Sequence, residues 1–82
     1  MKTRTKSYGD CNLIGKNVDS LRKKQGLKQK DFIAKLQLEG LDINSTSYSK
    51  LEGQIRFASD KEVFIIAKAL NVDMKELFIG NE

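Results

Sequence analysis

Between Leu21 and Glu52 the chain sets basic residues, an amide and a run of hydroxyls at spacings that suit a polyanionic partner. The first part reads Leu21-Arg22-Lys23-Lys24-Gln25-Gly26-Leu27-Lys28-Gln29, and the second reads Asn44-Ser45-Thr46-Ser47-Tyr48-Ser49-Lys50-Leu51-Glu52. Short hydroxyl and amide side chains let a backbone approach base edges closely, while lysines meet phosphate. A helix capped by Asn44 or Ser45 and running to about Glu52 turns Ser45, Thr46, Ser49 and Lys50 to one side and Tyr48 and Leu51 to the other. Lys50 is the sharpest candidate for base readout, because an ammonium donates to the guanine acceptors of the major groove. Gln54 and Arg56, in the turn that follows, are candidates for phosphate contact. Hydroxyl residues are also favoured at any solvent-facing helix start, and from the residues alone that bland account weighs as much as contact with a ligand. Tyr48 among serines offers a stacking surface, but its phase with Leu51 favours the core.

Other chemistry is poorly served. There is no histidine, no paired-carboxylate spacing and no glycine-rich phosphate loop, so an enzyme is not expected. Cys11 is the single cysteine and cannot form an intramolecular disulfide; with no histidine to join it, no metal site and no cofactor are expected. A redox-sensing thiol is conceivable in a basic neighbourhood, yet nothing else distinguishes Cys11 from a bystander.

Charge is distributed unevenly. Residues 1 to 30 hold nine cations against Asp10 and Asp19, residues 31 to 58 hold three against four acids, and residues 59 to 82 hold three against five. The net +4 is therefore concentrated toward one end, which attracts polyanions and speeds their encounter; a merely solvated basic face is the alternative. At 82 residues one domain is expected, burying about 60 to 65% of the surface its unfolded chain exposes. An apolar content of 39%, no proline and few alternating β-branched runs suit a small helical bundle. No window is long and apolar enough for a membrane span, and the basic start lacks the apolar region of a secretory signal, so a cytoplasmic protein is expected.

The elements that must position these residues follow from periodicity. Residues 1–12 lack apolar spacing and are expected to form a flexible basic arm, with residues 13–79 as the folded domain and 80–82 as a tail. Ile14, Val18 and Leu21 predict a helix over 13–25, stopped by Gly26. Phe32, Ile33 and Leu36 predict a second over 28–38, ended by Gly40. Leu41 and Ile43 then enter the core from an extended link, and Asn44 or Ser45 caps the third helix. Ser59 and Glu62 form a capping box for a fourth helix with the stripe Val63, Ile66, Ala67 and Leu70. Asn71 suits a left-handed exit, and Asp73 with Glu76 predicts a second capping box opening a fifth helix, whose Leu77 and Phe78 close an all-α five-helix bundle.

The ordered set Ile14-Gly15, Val18, Leu21-Arg22, Gly26-Leu27, Gln29, Phe32, Ala34, Ser47 to Gly53, Ile66 to Val72 and Leu77-Phe78 resembles the helix-turn-helix domain of the phage Cro and repressor family, common among bacterial regulators. The likeness spans roughly residues 13–79. It implies a lambda-repressor-like fold and a DNA-binding role for Gln29 at the start of the second helix. It also implies that Ser45, Thr46, Ser49 and Lys50 read bases, and that Arg22 pairs with Glu52 as a structural ion pair.

The family's frequent capping threonine is Lys28 here, which leaves the helix without a side-chain acceptor at a cost of about 1 kcal/mol. A phosphate beside the same amides would reverse that penalty, so Lys28 is expected to contact phosphate. The link over 37–44 is also longer than the family's tight turn. Lys23 and Lys24 are expected to be solvated charges remote from the contact. Lys2, Arg4 and Lys6 either reach a groove, as homeodomain arms do, or form a tail without a role.

The expected function is a transcriptional regulator, most simply a repressor, binding a two-fold double-stranded DNA operator as a homodimer through Val72, Phe78 and Ile79. The alternative is a protein-interaction module, such as an antitoxin or accessory factor.

Overall fold

The computed structural model describes residues 9 to 80, which are helical with no strand among them. The order is α1 (Gly15–Lys24), α2 (Gln29–Leu38), α3 (Ser45–Glu52), α4 (Asp60–Leu70) and a 3-10 turn (Met74–Leu77). The expected arm residues Lys2, Arg4 and Lys6, and tail residues 81 and 82, lie outside the described residues.

Helical periodicity delivers one shared core. Ile14 and Val18 from α1 and its cap, Phe32 and Leu36 from α2, Tyr48 and Leu51 from α3, and Ile66 and Leu70 from α4 are all fully buried, together with Leu77. Phe32 and Tyr48 meet edge to face, with ring centroids 5.8 Å apart and planes at 70°, an arrangement that aromatic quadrupoles favour. Leu41 and Ile43 are buried beside them. The link is held in place as Gln37 Nε2 donates to the Ile43 carbonyl at 2.8 Å. On α4 the buried stripe is broader than predicted: Ile65 and Ala69 join it, while Val63 is only partly covered.

Two helix starts differ from expectation. Residues 9–12 do not form an arm, because the Gly9 N–H donates to the Gly53 carbonyl and the Cys11 N–H to the Gln54 carbonyl, each at 2.9 Å. Asn12 then caps α1, with Oδ1 accepting from the Ile14 and Gly15 amides at 3.1 and 2.9 Å. This moves the helix start from Leu13 to Gly15 and leaves Leu13 half exposed. A Cβ on Gly15 would stand 2.5 Å from the Leu51 carbonyl oxygen and 2.6 Å from that of Glu52, so only glycine lets α1 begin against the end of α3.

The chain end is the second difference. The expected fifth helix is a single 3-10 turn: Asp73 accepts from the Lys75 amide at 3.2 Å and no second capping box closes. Leu77 is buried, but Phe78 is 38% exposed rather than sealed inside. The segment is tied back by Asn17, whose Nδ2 donates to the carbonyls of Leu77 and Ile79 at 2.8 and 2.7 Å.

Other local signals read as expected. Gly26 takes φ 74° after α1, and the Leu27 amide closes onto the Arg22 carbonyl at 3.1 Å. Asn71 takes φ 59° after α4. Ser59 and Glu62 close a complete capping box. No helix among the described residues is long and apolar enough to cross a membrane.

Candidate functional site

The site is built on α3. Asn44 Oδ1 accepts from the Ser47 amide at 2.8 Å and fixes the start of the helix. With Tyr48 and Leu51 locked in the core, Ser45, Thr46, Ser49 and Lys50 all face solvent. Among the described residues, Ser45, Thr46 and Lys50 make no side-chain hydrogen bond or ion pair with the rest of the fold.

Behind this face lies a buried polar network centred on Glu52, which is 1% exposed. Its Oε2 accepts from Arg22 Nε at 2.9 Å and from the Tyr48 hydroxyl at 2.6 Å. Its Oε1 accepts from Gln29 Nε2 at 2.8 Å. Arg22 also donates to Asp19 Oδ1 at 2.9 Å and to the Leu27 carbonyl at 2.6 Å. Lys23, 64% exposed, reaches Asp19 at 3.3 Å and so belongs to this ion-pair group.

Every partner of Glu52 is a donor, which is what a buried carboxylate requires. No buried side-chain nitrogen or oxygen among the described residues lacks a partner. Burial works against the Arg22 charge, but the hydrogen bond and charge of Glu52 outweigh it and raise the guanidinium pKa. Tyr48 is raised far above the ordinary phenol range, first by burial and then by its hydrogen bond to Glu52 and the carboxylate charge.

Gln29 joins this network to the surface. It is the first residue of α2, and its Oε1 lies 3.4 Å from Ser49 Oγ. The start of α2 and the outward face of α3 are therefore neighbours. Lys28 precedes Gln29 in extended conformation, exposed and with no side-chain cap bond, so the first amides of α2 have no side-chain acceptor from it.

Two expected phosphate contacts are turned inward. Gln54 is buried, with φ 62°, and its Nε2 donates to the Asn12 carbonyl at 2.6 Å. Arg56 donates from Nε to the Ser47 carbonyl at 2.9 Å, from Nη1 to the Phe57 carbonyl at 2.7 Å and Glu62 Oε1 at 2.9 Å, and from Nη2 to Glu62 Oε2 at 2.7 Å. This bidentate pair and the Ser59 amide draw the Glu62 carboxyl below its ordinary range, against the opposing effect of burial. Both side chains act in the fold, bracing the loop after α3.

Asn12 and Asp19 went unnoticed in the sequence. Besides capping α1, Asn12 donates from Nδ2 to the carbonyls of Leu51 and Arg56 at 3.0 and 2.9 Å. The signal was present: an asparagine just before an apolar helical run is a cap candidate. Asp19 lies three residues before Arg22, the spacing of a same-face ion pair on a helix.

No protein-family model, curated protein or solved structure matches this chain. No group of three or more His, Cys, Asp or Glu side chains able to hold a metal occurs among the described residues.

Proposed function

We propose that this protein is a sequence-specific double-stranded DNA-binding regulator of transcription, a repressor in its simplest form, working in the cytoplasm. In this reading α2 and α3 act as a helix-turn-helix of lambda-repressor type, with α3 entering the major groove. The observation that carries it is the contiguity of exposed Ser45, Thr46, Ser49 and Lys50 with Gln29 and Lys28, joined through the 3.4 Å approach of Ser49 to Gln29. Hydroxyls, an amide and a lysine on one outward helix face are the donors and acceptors that base edges require. The uncapped amides beside Lys28 suit a phosphate.

Binding as a homodimer would set two α3 helices about 34 Å apart in successive major grooves. Exposed Phe78 and Ile79, beside partly covered Val72, give a second copy apolar area to bury.

A protein-interaction module is the second reading. It is favoured by Ile55 and Phe57, which flank Arg56 and stand 58% and 79% exposed, Phe57 offering the kind of aromatic anchor that protein interfaces use. Titrating labelled genomic fragments at rising salt separates the two. The DNA reading expects a steep salt dependence with a sequence preference that survives it. Salt-insensitive capture of one protein and no retention of DNA would falsify it.

A further inference from the structure

We infer that Glu52, acting through Gln29, fixes Ser49 as a hydrogen-bond acceptor toward the groove, so that Ser49 selects a base carrying an exocyclic amine. This rests on the DNA-binding reading above and specifies what one position of that site reads.

Proton positions are set outward from the core. Glu52 accepts from Arg22 and Tyr48 on Oε2, and its Oε1 faces the Gln29 carboxamide at 2.8 Å. A carboxylate cannot donate, so the nitrogen of Gln29 must be the atom that faces it. The Gln29 oxygen is thereby turned toward Ser49, 3.4 Å away. A carboxamide oxygen cannot donate either, so the Ser49 hydroxyl gives its single proton to Gln29. What Ser49 has left for a ligand is lone pairs.

A free serine reads donors and acceptors alike; this one is held to a single sense. In the major groove the donors are adenine N6 and cytosine N4, while guanine and thymine present carbonyl oxygens at the corresponding places. Ser49 therefore favours an amino base, A or C, over a keto base, G or T, on the strand it faces. Neighbouring Lys50 can only donate and has the opposite preference. Gln29 and Glu52 are positioning residues in this scheme, and Ser49 sets specificity.

Sites selected from a randomised duplex pool test it. Duplexes carrying A, C, G or T at the position that responds to S49A are then compared for wild type, S49A, Q29A, Q29M and K50A, each checked for folding by circular dichroism. Wild type should prefer A or C at that position by at least about fivefold, the lower range of single base-pair discrimination. The A and C duplexes tell which amine is read.

S49A should flatten the preference to within about twofold. Q29A or Q29M should flatten it too, although Ser49 is still present, because its proton is then free to turn outward. K50A should leave this ratio unchanged while altering another position. A keto preference in wild type, no position responding to S49A, or glutamine variants that keep the full discrimination would overturn the inference and leave DNA binding standing. Failure to enrich any sequence would overturn the DNA-binding reading and this inference with it.

Discussion

The Tyr48 hydroxyl donates to Glu52 Oε2 at 2.6 Å, from one turn earlier on the same helix. Burial, followed by that hydrogen bond and the carboxylate charge, raises its pKa well above the ordinary 10.0. The folded protein thus keeps a proton that the unfolded chain releases. Its contribution to stability is complete below the unfolded value and declines as pH climbs past about 10. Y48F should lower stability at neutral pH by about 1.5 to 3 kcal/mol and remove this part of the alkaline decline. Urea melts at neutral and strongly alkaline pH check both, and an unaltered alkaline slope would count against the account.

Glu52 is the acceptor on which three donors converge, so removing it is worse than removing any one of them. E52A leaves Arg22 buried with only Asp19 as its acidic partner and strips Tyr48 and Gln29 of their acceptor. The expected loss is about 3 to 5 kcal/mol, as for a broken buried pair. K50A, on the exposed face of the same helix, should stay within about 0.5 kcal/mol of wild type. Comparable midpoints for the two variants in denaturant would refute this division.

Asn12 both starts α1 and ties it to the end of α3. N12A orphans two amides at the helix start, removes the donor to the Arg56 carbonyl and leaves the Leu51 carbonyl with the Gln54 amide alone. A loss of at least about 2 kcal/mol is expected, above that of an ordinary cap because buried partners are lost as well. Hydrogen exchange at the Gly9 and Cys11 amides, which bond to the turn after α3, should accelerate together. Unchanged protection there would mean that segment 9–12 is held by other contacts.

In the proposed DNA-binding reading, Lys28 sets stability against binding. Its side chain caps nothing and brings a positive charge to the positive end of α2. K28T supplies an acceptor and should raise stability by about 1 kcal/mol while weakening DNA binding and lowering its salt slope by about one unit. Thermal melts and binding isotherms over a salt series give the two readouts. Tighter binding by K28T would rule out a phosphate contact.

Glu62 supplies an acid-sensitive element. Arg56 and the Ser59 amide hold its carboxyl below the ordinary 4.5, so its contribution is present above that value and is lost as pH falls through the lower folded one. E62Q should therefore be less stable than wild type at neutral pH, with a gap that narrows on acidification. Melts compared at neutral and acidic pH test it; a gap that widens in acid would contradict the assignment.

Much of this was legible in the sequence because periodicity and caps are local. Phe32, Leu36, Tyr48 and Leu51 announce their burial by spacing, and Ser59 with Glu62 announces a helix start three residues apart. The inward partners of Gln54 and Arg56 are not legible in the sequence, for the opposite reason. Polar residues in a turn look free until the fold brings Asn12, Ser47 and Glu62 to them, and Asn12 lies 42 positions from Gln54. The last helix differs because only half of the capping pattern forms: Asp73 accepts from the Lys75 amide, Glu76 does not return the bond, and the Phe78 amide turns back to the Lys75 carbonyl in a 3-10 turn. In the candidate site, the outward residues of α3 follow from helical phase, whereas the bond from Gln29 to Glu52 depends on how two helices meet.

The side chains of Ser45, Thr46 and Lys50 make no hydrogen bond or ion pair with other described residues, while α3 is anchored from its inner side by Tyr48, Leu51 and Glu52. Chassis and proposed address label are thus physically separate. Such a surface can drift through many chemistries under selection while the scaffold beneath it stays intact, with Ser49 and Gln29 linking that surface to Glu52 in the frame.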